Sequence, residues 1–197
     1  MLNIAVLISG SGSNLQSIID KVEEGYINAN IKVVISNKKD AYGLERAKKY
    51  NIKSFYETDE EKIINILKEE KVDFIVLAGF LKILSKKFIS AYENKIINIH
   101  PSLIPSFCGK GYYGQTVHAS VLEYGVKFTG ATVHFVNENA DTGPIIFQDI
   151  VKIEENDTVE TLSKKVLEKE HMLLPKAIKF YTEGKLVISG RKVFINE

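Results

Sequence analysis

The sequence predicts an α/β fold with a Rossmann-like, mostly parallel sheet and helices on both faces. In roughly the first hundred residues, apolar runs of strand length alternate with amphipathic stretches of helical length, an order typical of a parallel sheet covered on both faces. The segment Gly10–Asn14 and the residue His100 each lie at the end of a predicted strand. Ligands of such sheets bind at the carboxyl ends of the strands, so both are candidates for one site.

The first half of the chain contains five apolar runs that we predict to be strands: Leu2–Ile8, Ile31–Ser36, Lys53–Tyr56, Phe74–Ala78 and Lys95–Ile99. Between them lie four amphipathic stretches that we predict to be helices: Asn14–Glu24, Gly43–Tyr50, Glu60–Glu70 and Ser85–Tyr92. Strands and helices therefore alternate, as expected when a helix joins each strand to a parallel neighbour.

The second half of the chain has a different character. A loop rich in glycine and proline runs from Pro101 to Gln115. The predicted elements after it are a helix at Thr116–Tyr124, strands at Gly130–Val136 and Pro144–Ile153, a long helix at Thr158–Tyr181, and an edge hairpin of Lys185–Ile188 and Lys192–Ile195. Pro175 is expected to kink the long helix. We find no repeat and no linker, so we expect one domain over residues 1–197.

Composition excludes several classes of protein. A chain of 197 residues suits one α/β domain, and 45% hydrophobic with 26% charged residues is ordinary for a globular protein. The formal net charge of +1 favours neither nucleic acid nor membrane as a partner, and no apolar stretch reaches the ~20 residues of a membrane span. The N-terminus lacks the basic region of a signal peptide, and the single cysteine, Cys108, fits a reducing compartment, so we expect a cytoplasmic protein.

The segment Ser9–Leu15 stands between a predicted strand and a predicted helix. Its small residues let the backbone approach a ligand, and the N-terminus of the helix presents free N–H groups and about +0.5 of a charge to an anion. The third glycine of a dinucleotide fingerprint and the Walker lysine are both missing, so a single ribose phosphate fits better than NAD or ATP. The alternative is a simple strand-to-helix turn with Ser13 or Asn14 as the helix cap.

Asn98 and His100 are two residues apart on a predicted strand, so both side chains leave the same face. An amide and an imidazole at the end of a strand suit a carbonyl whose oxygen becomes charged, because both can donate hydrogen bonds to it. Asp141 is a carboxylate that can orient the imidazole and raise its pKa. Alternatively, Asn98 and His100 are a hydrogen-bonded pair with a purely structural role. Asp141 could cap the turn that it begins, a role that does not exclude one in catalysis.

The remaining histidines and the cysteine carry weaker signals. His118 follows the glycine-rich loop and either flanks the site or lies outside it, whereas His134 alternates with apolar residues and is expected to be a packed strand residue. His171 lies on the long predicted helix. The four histidines show no ligand spacing such as His-Glu-x-x-His, so we expect no metal. No base stands beside Cys108 in the sequence, so we expect it to be a bystander.

The whole chain resembles the glycinamide ribonucleotide formyltransferases, a branch of the folate-dependent formyltransferase family. Four segments stand in the family's order: Ile8–Leu15, Leu77–Leu84, Asn98–Pro105 and Asp141–Pro144. The later three are typical of all folate-dependent formyltransferases, whereas the first segment and the chain length are typical of this branch. The resemblance implies the formyltransferase fold. It also implies transfer of a formyl group from 10-formyltetrahydrofolate to the amine of N1-(5-phospho-D-ribosyl)glycinamide in de novo purine (IMP) biosynthesis.

The resemblance also implies roles for individual residues. The catalytic residues would be Asn98, His100 and Asp141, which stabilise a tetrahedral intermediate. The ribonucleotide would contact Gly12, Ser13, Asn14 and Glu170, although a solvated helix carboxylate is the alternative for Glu170. The folate would contact Leu81, Lys82, Ile83, Leu84, Asn98, Asn137, Glu138, Asn139, Ala140 and Asp141. The alternative for the apolar segment Leu77–Leu84 is that it belongs to the hydrophobic core. Residues 1–100, approximately, would form a phosphate-binding half, and residues 101–197 a folate-binding and catalytic half.

The chain departs from the family in places that matter for the folate tail. The loop at residues 106–115 is longer than usual. The segment Ser54–Lys62 contains no arginine, although many members have a folate-contacting arginine there, and Lys82 replaces an arginine in the apolar loop. The glutamate tail of the folate could therefore be bound by Lys62, Lys82 or Lys110. Each of these would act as a point charge, without the two parallel hydrogen bonds of an arginine.

Three other functions compete with formyl transfer to a ribonucleotide. A 10-formyltetrahydrofolate hydrolase would keep the catalytic trio, but it has no use for a phosphate loop and usually carries an N-terminal regulatory domain. Formylation of methionyl-tRNA would require a separate RNA-binding domain, for which we expect 197 residues to leave no room. A non-catalytic folate- or nucleotide-binding module is the third. In every case we expect small-molecule ligands and a monomer or homodimer.

Overall fold

The structure, a computed structural model, describes residues 1–196, so Glu197, the last residue of the expected domain, lies outside the described residues. The strands are β1 (Leu2–Ile8), β2 (Ala29–Ser36), β3 (Lys53–Tyr56), β4 (Phe74–Leu77), β5 (Ile96–His100), β6 (Phe128–Phe135), β7 (Ile145–Lys152), β8 (Leu186–Ser189) and β9 (Lys192–Ile195). The helices are α1 (Ser13–Glu23), α2 (Tyr42–Lys49), α3 (Glu60–Glu69), α4 (Lys86–Ala91), α5 (Gln115–Tyr124) and α6 (Val159–Thr182).

These strands form one sheet in the order β3-β2-β1-β4-β5-β6-β7-β9-β8. The pairings among β1 to β5 are parallel, whereas β6 runs antiparallel to both β5 and β7. At the edge, β8 and β9 form an antiparallel hairpin, and β9 pairs parallel with β7. The predicted α/β fold with a mostly parallel sheet is confirmed, and so is the edge hairpin. Every antiparallel pairing involves at least one strand from the second half of the chain.

The interior strand β1 is buried on both faces of the sheet from Ile4 to Ile8. Ile4, Val6 and Ile8 pack into a hydrophobic core with residues of α1, α2, α5 and α6, whereas Ala5 and Leu7 pack into a second core with residues of α3 and α4. Because neither face of this part of the strand is exposed to water, residues Ile4–Ile8 are all apolar. The predicted covering of both faces by helices is confirmed.

Most predicted boundaries agree with the structure within one or two residues. The second strand begins at Ala29 rather than Ile31, and the sixth at Phe128 rather than Gly130, because neighbouring strands pair with these extra residues. Helix α6 runs from Val159 to Thr182 as one element that contains Pro175. Within residues 1–196, no helix is both long enough and apolar enough to cross a membrane.

Polar side chains cap the N-termini of three helices, and in α4 the Ser85 hydroxyl accepts a hydrogen bond from the Phe88 N–H over 3.2 Å. The Asp59 carboxylate accepts a hydrogen bond from the Glu61 N–H over 2.9 Å at the start of α3, and Thr158 forms a capping box with Thr161 at the start of α6. Such caps typically stabilise a helix by ~1 kcal/mol. Helices α1, α2 and α5 have no side-chain cap in the structure of residues 1–196, and α1 follows Gly12.

Candidate active site

A cleft of about 720 Å³ lies at the carboxyl edge of the sheet, where β1, β4 and β5 end. The turn after β6, the loop before α5 and one face of α6 complete its walls. The cleft wall includes every residue that is predicted to be catalytic and every residue assigned to the ribonucleotide or the folate. Of the three lysines considered for the folate tail, it includes Lys82 and Lys110 but not Lys62. Tertiary structure therefore brings the predicted residues to one place, as the rule for parallel sheets implies.

The loop before α1 is held by close backbone packing. Gly12 has a φ of 71°, in the left-handed region that favours glycine, and a Cβ there would lie 2.6 Å from the Cα of Gly43. The Gly43 N–H donates to the Gly10 carbonyl over 3.1 Å. Because α1 begins at Ser13 without a side-chain cap, the alternative in which Ser13 or Asn14 caps the helix is wrong. An uncapped helix N-terminus on a cleft wall can bind an anion.

Asn14 and Glu170 form a buried pair beside this loop. The Asn14 amide Nδ2 donates to Glu170 Oε2 over 2.7 Å, and both residues are less than a tenth exposed. Burial raises the pKa of Glu170 to about 7, although the hydrogen bond from Asn14 opposes this rise. The interpretation of Glu170 as a solvated helix carboxylate is therefore wrong. Asn14 Oδ1 has no hydrogen-bond partner among residues 1–196, although it too is buried.

Asn98, His100 and Asp141 meet at the end of β5. His100 is buried, and its Nε2–H donates to the Phe107 carbonyl over 2.9 Å. Because a carbonyl only accepts, Nε2 carries the proton of the neutral ring, and Nδ1 faces Asp141 Oδ2 over 3.6 Å. Asp141 Oδ2 also accepts a hydrogen bond from the Gly109 N–H over 2.8 Å. The structure thus places a carboxylate beside the imidazole, as the sequence predicts.

The pKa of His100 depends on burial as well as on Asp141. The Asp141 carboxylate raises this pKa, as expected, and the Phe107 carbonyl acts in the same direction. Burial has the larger effect, so the net pKa of His100 is lowered. For Asp141, burial raises the pKa, but the contacts with His134, His100 and Gly109 together lower it below its usual value. Near neutral pH, Asp141 is therefore ionised and His100 is neutral.

His134 belongs to this cluster, although the sequence analysis assigns it only a packing role. It is buried as expected, and its Nδ1–H donates to the Phe135 carbonyl over 2.8 Å. Its Nε2 therefore accepts a hydrogen bond from Asn98 Nδ2 over 3.2 Å, and it lies 3.5 Å from Asp141 Oδ1. His134 thus fixes the orientation of the Asn98 amide. The signal that reveals this role is the antiparallel register of β5 and β6, which sets Asn98 opposite His134.

The apolar segment after β4 is partly core and partly cleft wall. Phe80 and Leu84 are buried, whereas Leu81 is 44% exposed and Ile83 is 62% exposed. The Ser9 hydroxyl accepts a hydrogen bond from the Leu81 N–H over 2.8 Å, which ties this segment to the end of β1. The core interpretation therefore holds for only part of the segment. Its exposed aliphatic side chains provide an apolar surface for a flat ring.

The turn after β6 forms another wall of the cleft. Asn137 Oδ1 accepts hydrogen bonds from the Thr142 hydroxyl over 2.8 Å and from the Asn139 N–H over 3.2 Å. These bonds hold the turn without using the Asp141 carboxylate, which instead accepts from Gly109 of the facing loop. The interpretation of Asp141 as a cap of its own turn is therefore wrong.

Cys108, His118 and His171 differ in their positions relative to the cleft. The Cys108 thiol donates to the Pro105 carbonyl over 3.3 Å, and burial together with the Asp141 charge raises its pKa, so it remains a neutral thiol as expected of a bystander. His118 is buried on the cleft wall and therefore flanks the site, whereas His171 is not part of this wall. Among residues 1–196, no group of three or more His, Cys, Asp or Glu side chains is arranged to hold a metal ion.

Comparison with known protein families gives a match over most of the chain. The family described as "Formyl transferase" matches residues 2–178. The chain is 43% identical over 205 aligned positions to the phosphoribosylglycinamide formyltransferase of Haemophilus influenzae, and the match covers all of this chain and 94% of that protein. It spans only 62% of the length of the relatives from Arabidopsis thaliana and Vigna unguiculata, which are named "Phosphoribosylglycinamide formyltransferase, chloroplastic".

Solved structures give the same result. The crystal structure of glycinamide ribonucleotide transformylase 1 from Symbiobacterium toebii matches with a TM-score of 0.95 and 42% identity, and covers 100% of this chain and 95% of that chain. A formyltetrahydrofolate deformylase from Pseudomonas syringae matches with a TM-score of 0.90 over 66% of that chain, but at 24% identity it shows the fold alone. The chain therefore belongs to the formyl transferase family, and over its full length it is similar to members named phosphoribosylglycinamide formyltransferase.

Proposed function

We propose that this protein transfers a formyl group from 10-formyltetrahydrofolate to the amine of N1-(5-phospho-D-ribosyl)glycinamide in de novo purine (IMP) biosynthesis. One observation carries the proposal: an uncapped helix N-terminus and the cluster of Asn98, His100 and Asp141 line the same cleft. The first suits a phosphate, and the second suits a carbonyl oxygen that becomes charged. The names of the relatives support the ribonucleotide as the formyl acceptor, whereas the folate donor is proposed from the resemblance to the folate-dependent formyltransferases.

The acceptor ribonucleotide would lie along α1 and α6. Its phosphate would accept hydrogen bonds from the backbone of Gly12, Ser13 and Asn14 at the positive end of α1. Glu170 would contact the glycinamide end, because its carboxyl lies on the cleft wall and is bound to Asn14 Nδ2 through one oxygen. In this arrangement, residues 1–100, approximately, form the phosphate-binding half of the domain.

The folate would lie between the apolar segment after β4 and the turn after β6. An apolar slot with a few backbone hydrogen-bonding groups suits a flat pteridine ring. The proposed folate contacts are Leu81, Lys82, Ile83, Leu84, Asn98, Asn137, Glu138, Asn139, Ala140 and Asp141, all on the cleft wall. Residues 101–197, approximately, would thus contribute the catalytic residue Asp141 and part of the folate site.

The reaction would proceed by addition and elimination at the formyl carbon. The amine bonds to this carbon as the C=O electron pair moves onto oxygen, and the bond to N10 of the folate then breaks. One N–H of the Asn98 amide is bound to His134, so its second N–H is the donor for the oxyanion. Since His100 Nε2 is bound to the Phe107 carbonyl, Nδ1 is the atom that donates once the ring is protonated. Each such donor typically contributes ~3–4 kcal/mol.

Asp141 would assist both steps. Its negative charge, 3.6 Å from His100 Nδ1, stabilises the imidazolium form that donates to the oxyanion. The attacking amine must lose a proton and N10 must gain one. An ionised Asp141 can accept the first proton through a bound water and return it to N10, so that no proton is consumed in the cycle.

The surroundings of the three lysines considered for the glutamate tail support one of them. The Lys82 ammonium donates to the Thr58 carbonyl over 2.7 Å and lies 3.5 Å from Glu60 Oε1, so its charge is already compensated. Lys62 is not part of the cleft wall. Lys110 lies on the wall, and the ion pairs within residues 1–196 do not include it. We therefore propose that Lys110 pairs with a glutamate carboxylate of the folate.

One assay separates formyl transfer from the competing functions. The protein is mixed with 10-formyltetrahydrofolate, with and without the ribonucleotide, and tetrahydrofolate is measured. We expect release only when the ribonucleotide is present. Equal release without the ribonucleotide would identify a hydrolase, and no release with both substrates would favour a binding module; either result would refute the proposal.

Several further properties are proposals that need their own measurements. We propose a cytoplasmic enzyme with small-molecule substrates, without a metal, nucleic-acid or membrane partner. Turnover should therefore survive a strong chelator. Light scattering should give a monomer or a homodimer, which are the two states that we expect.

A further inference from the structure

His118 is a buried histidine on the cleft wall for which the proposed chemistry has no role. It is only 4% exposed, and within residues 1–196 its Nδ1 has no hydrogen-bond partner. A buried polar atom without a partner typically costs ~1–3 kcal/mol, so native proteins keep few of them. An unpartnered imidazole on the wall of a binding cleft therefore suggests that a bound substrate supplies the partner.

The position of His118 indicates which substrate this is. His118 lies on α5, and α5 packs against α6, which contributes Ser163, Leu167 and Glu170 to the cleft wall. Residues of α5, α6 and α1 share one hydrophobic core, whereas the apolar segment of the proposed folate site packs into the core on the other face of the sheet. His118 therefore lies on the side of the cleft proposed for the ribonucleotide.

His118 shares the wall of the cleft with His100. The part of the acceptor that comes nearest to His100 is its amine, because the new bond forms between that nitrogen and the formyl carbon. An imidazole on the same cleft wall as His100 is therefore a candidate contact for this amine.

We infer that His118 contacts the acceptor substrate and that its imidazole accepts a hydrogen bond from the attacking amine. This inference rests on the proposed function. A neutral imidazole can accept an N–H from the amine while the nitrogen lone pair stays free to attack. Burial lowers the pKa of His118, which favours the neutral ring. The contact would orient the amine toward the formyl carbon.

Substitutions at this position can separate the hydrogen bond from packing. His118→Phe keeps an aromatic ring of similar size but removes both nitrogens. His118→Asn and His118→Gln restore a polar atom near the position of Nδ1 or of Nε2, respectively. Thr116→Ala is the matched control, because Thr116 is exposed on the same helix and is not part of the cleft wall.

The measurements are KM and kcat for both substrates and calorimetric binding of the ribonucleotide alone. In His118→Phe we expect the KM for the ribonucleotide to rise about tenfold, as for one lost hydrogen bond, with the KM for the folate unchanged. One of the two amide variants should recover most of the loss, and Thr116→Ala should behave as the wild type.

The other possible results would overturn either the role of His118 or the proposed function. An unchanged KM for the ribonucleotide in His118→Phe, or equal losses for both substrates, would overturn the inference. If His118→Phe does not fold, the smaller His118→Leu replaces it under the same criteria. Wild-type protein that releases no tetrahydrofolate with both substrates would refute the proposed function, and the inference with it. Active wild-type protein with an insensitive His118→Phe would refute the inference alone.

Discussion

Asp141→Asn tests the electrostatic core of the proposed mechanism. The amide has nearly the same volume as the carboxylate, and its oxygen can still accept the Gly109 N–H hydrogen bond, which is 2.8 Å long in the wild type. We therefore expect the variant to fold. What it loses is the negative charge 3.6 Å from Nδ1 of His100, and with it a proton acceptor for the attacking amine.

The distance sets the expected size of the effect. Two unit charges 3.6 Å apart attract by about 5 kcal/mol at an effective dielectric constant of ~20, and an opposite charge this close typically changes a pKa by ~1–3. Burial already lowers the pKa of His100, so without the Asp141 charge this pKa falls further. Each pKa unit reduces the imidazolium fraction about tenfold near neutral pH. With the lost proton acceptor included, we expect turnover to fall at least ~10²-fold.

Two measurements check this reasoning. NMR titration of the His100 ring in both proteins should give a lower pKa in Asp141→Asn, and the pH profile of kcat should shift in the acidic direction. Asp149→Asn is the control, because it removes a carboxylate that is paired with Lys169 over 2.9 Å and is not part of the cleft wall. An unchanged His100 pKa in Asp141→Asn would show that the two charges do not interact and would refute the proposed geometry.

Four further variants test separate parts of the site. His100→Ala should lower kcat far more than it changes either KM, because the lost donor acts mainly in the transition state, and a near-normal kcat would remove His100 from the mechanism. Ser13→Asp should weaken binding of the ribonucleotide but not of the folate, because it sets a carboxylate against the phosphate; equal losses would indicate a misfolded loop. Wild-type Glu170, with its pKa raised from 4.5 to about 7, contributes stability that is full below pH 4.5 and is lost as the pH rises through about 7. Denaturant titrations between pH 4.5 and about 7 should therefore show the free energy of unfolding of Glu170→Gln rising relative to that of the wild type, by up to ~3 kcal/mol. Glu168→Gln is the control, because Glu168 is exposed, and it should show no such trend. Lys110→Ala should raise the KM for a polyglutamylated folate more than for a folate without glutamate, and an equal change for both would count against its proposed pairing.

The fold class and the order of the elements could be predicted from local patterns. Apolar runs of strand length and amphipathic stretches depend on neighbours close in sequence, and the parallel half of the sheet follows from their alternation. The meeting of the Ser9–Leu15 loop with Asn98 and His100 could also be predicted, because the carboxyl ends of parallel strands share one edge. The local prediction failed at the start of α1, where Gly12 packs against Gly43, a residue from a different helix, and the helix has no side-chain cap.

The sequence by itself determined which chemical groups this protein carries and roughly where along each strand they stand. Only the tertiary structure decided which of these groups meet, because contacts between residues distant in the chain have no local signal. Asn14 bonds to Glu170 across 156 positions, and Asn98 bonds to His134 through the antiparallel register of β5 and β6. Burial also exists only in the folded chain. For this reason the raised pKa of Glu170 and the lowered net pKa of His100, in spite of Asp141, could not be derived from residue types alone.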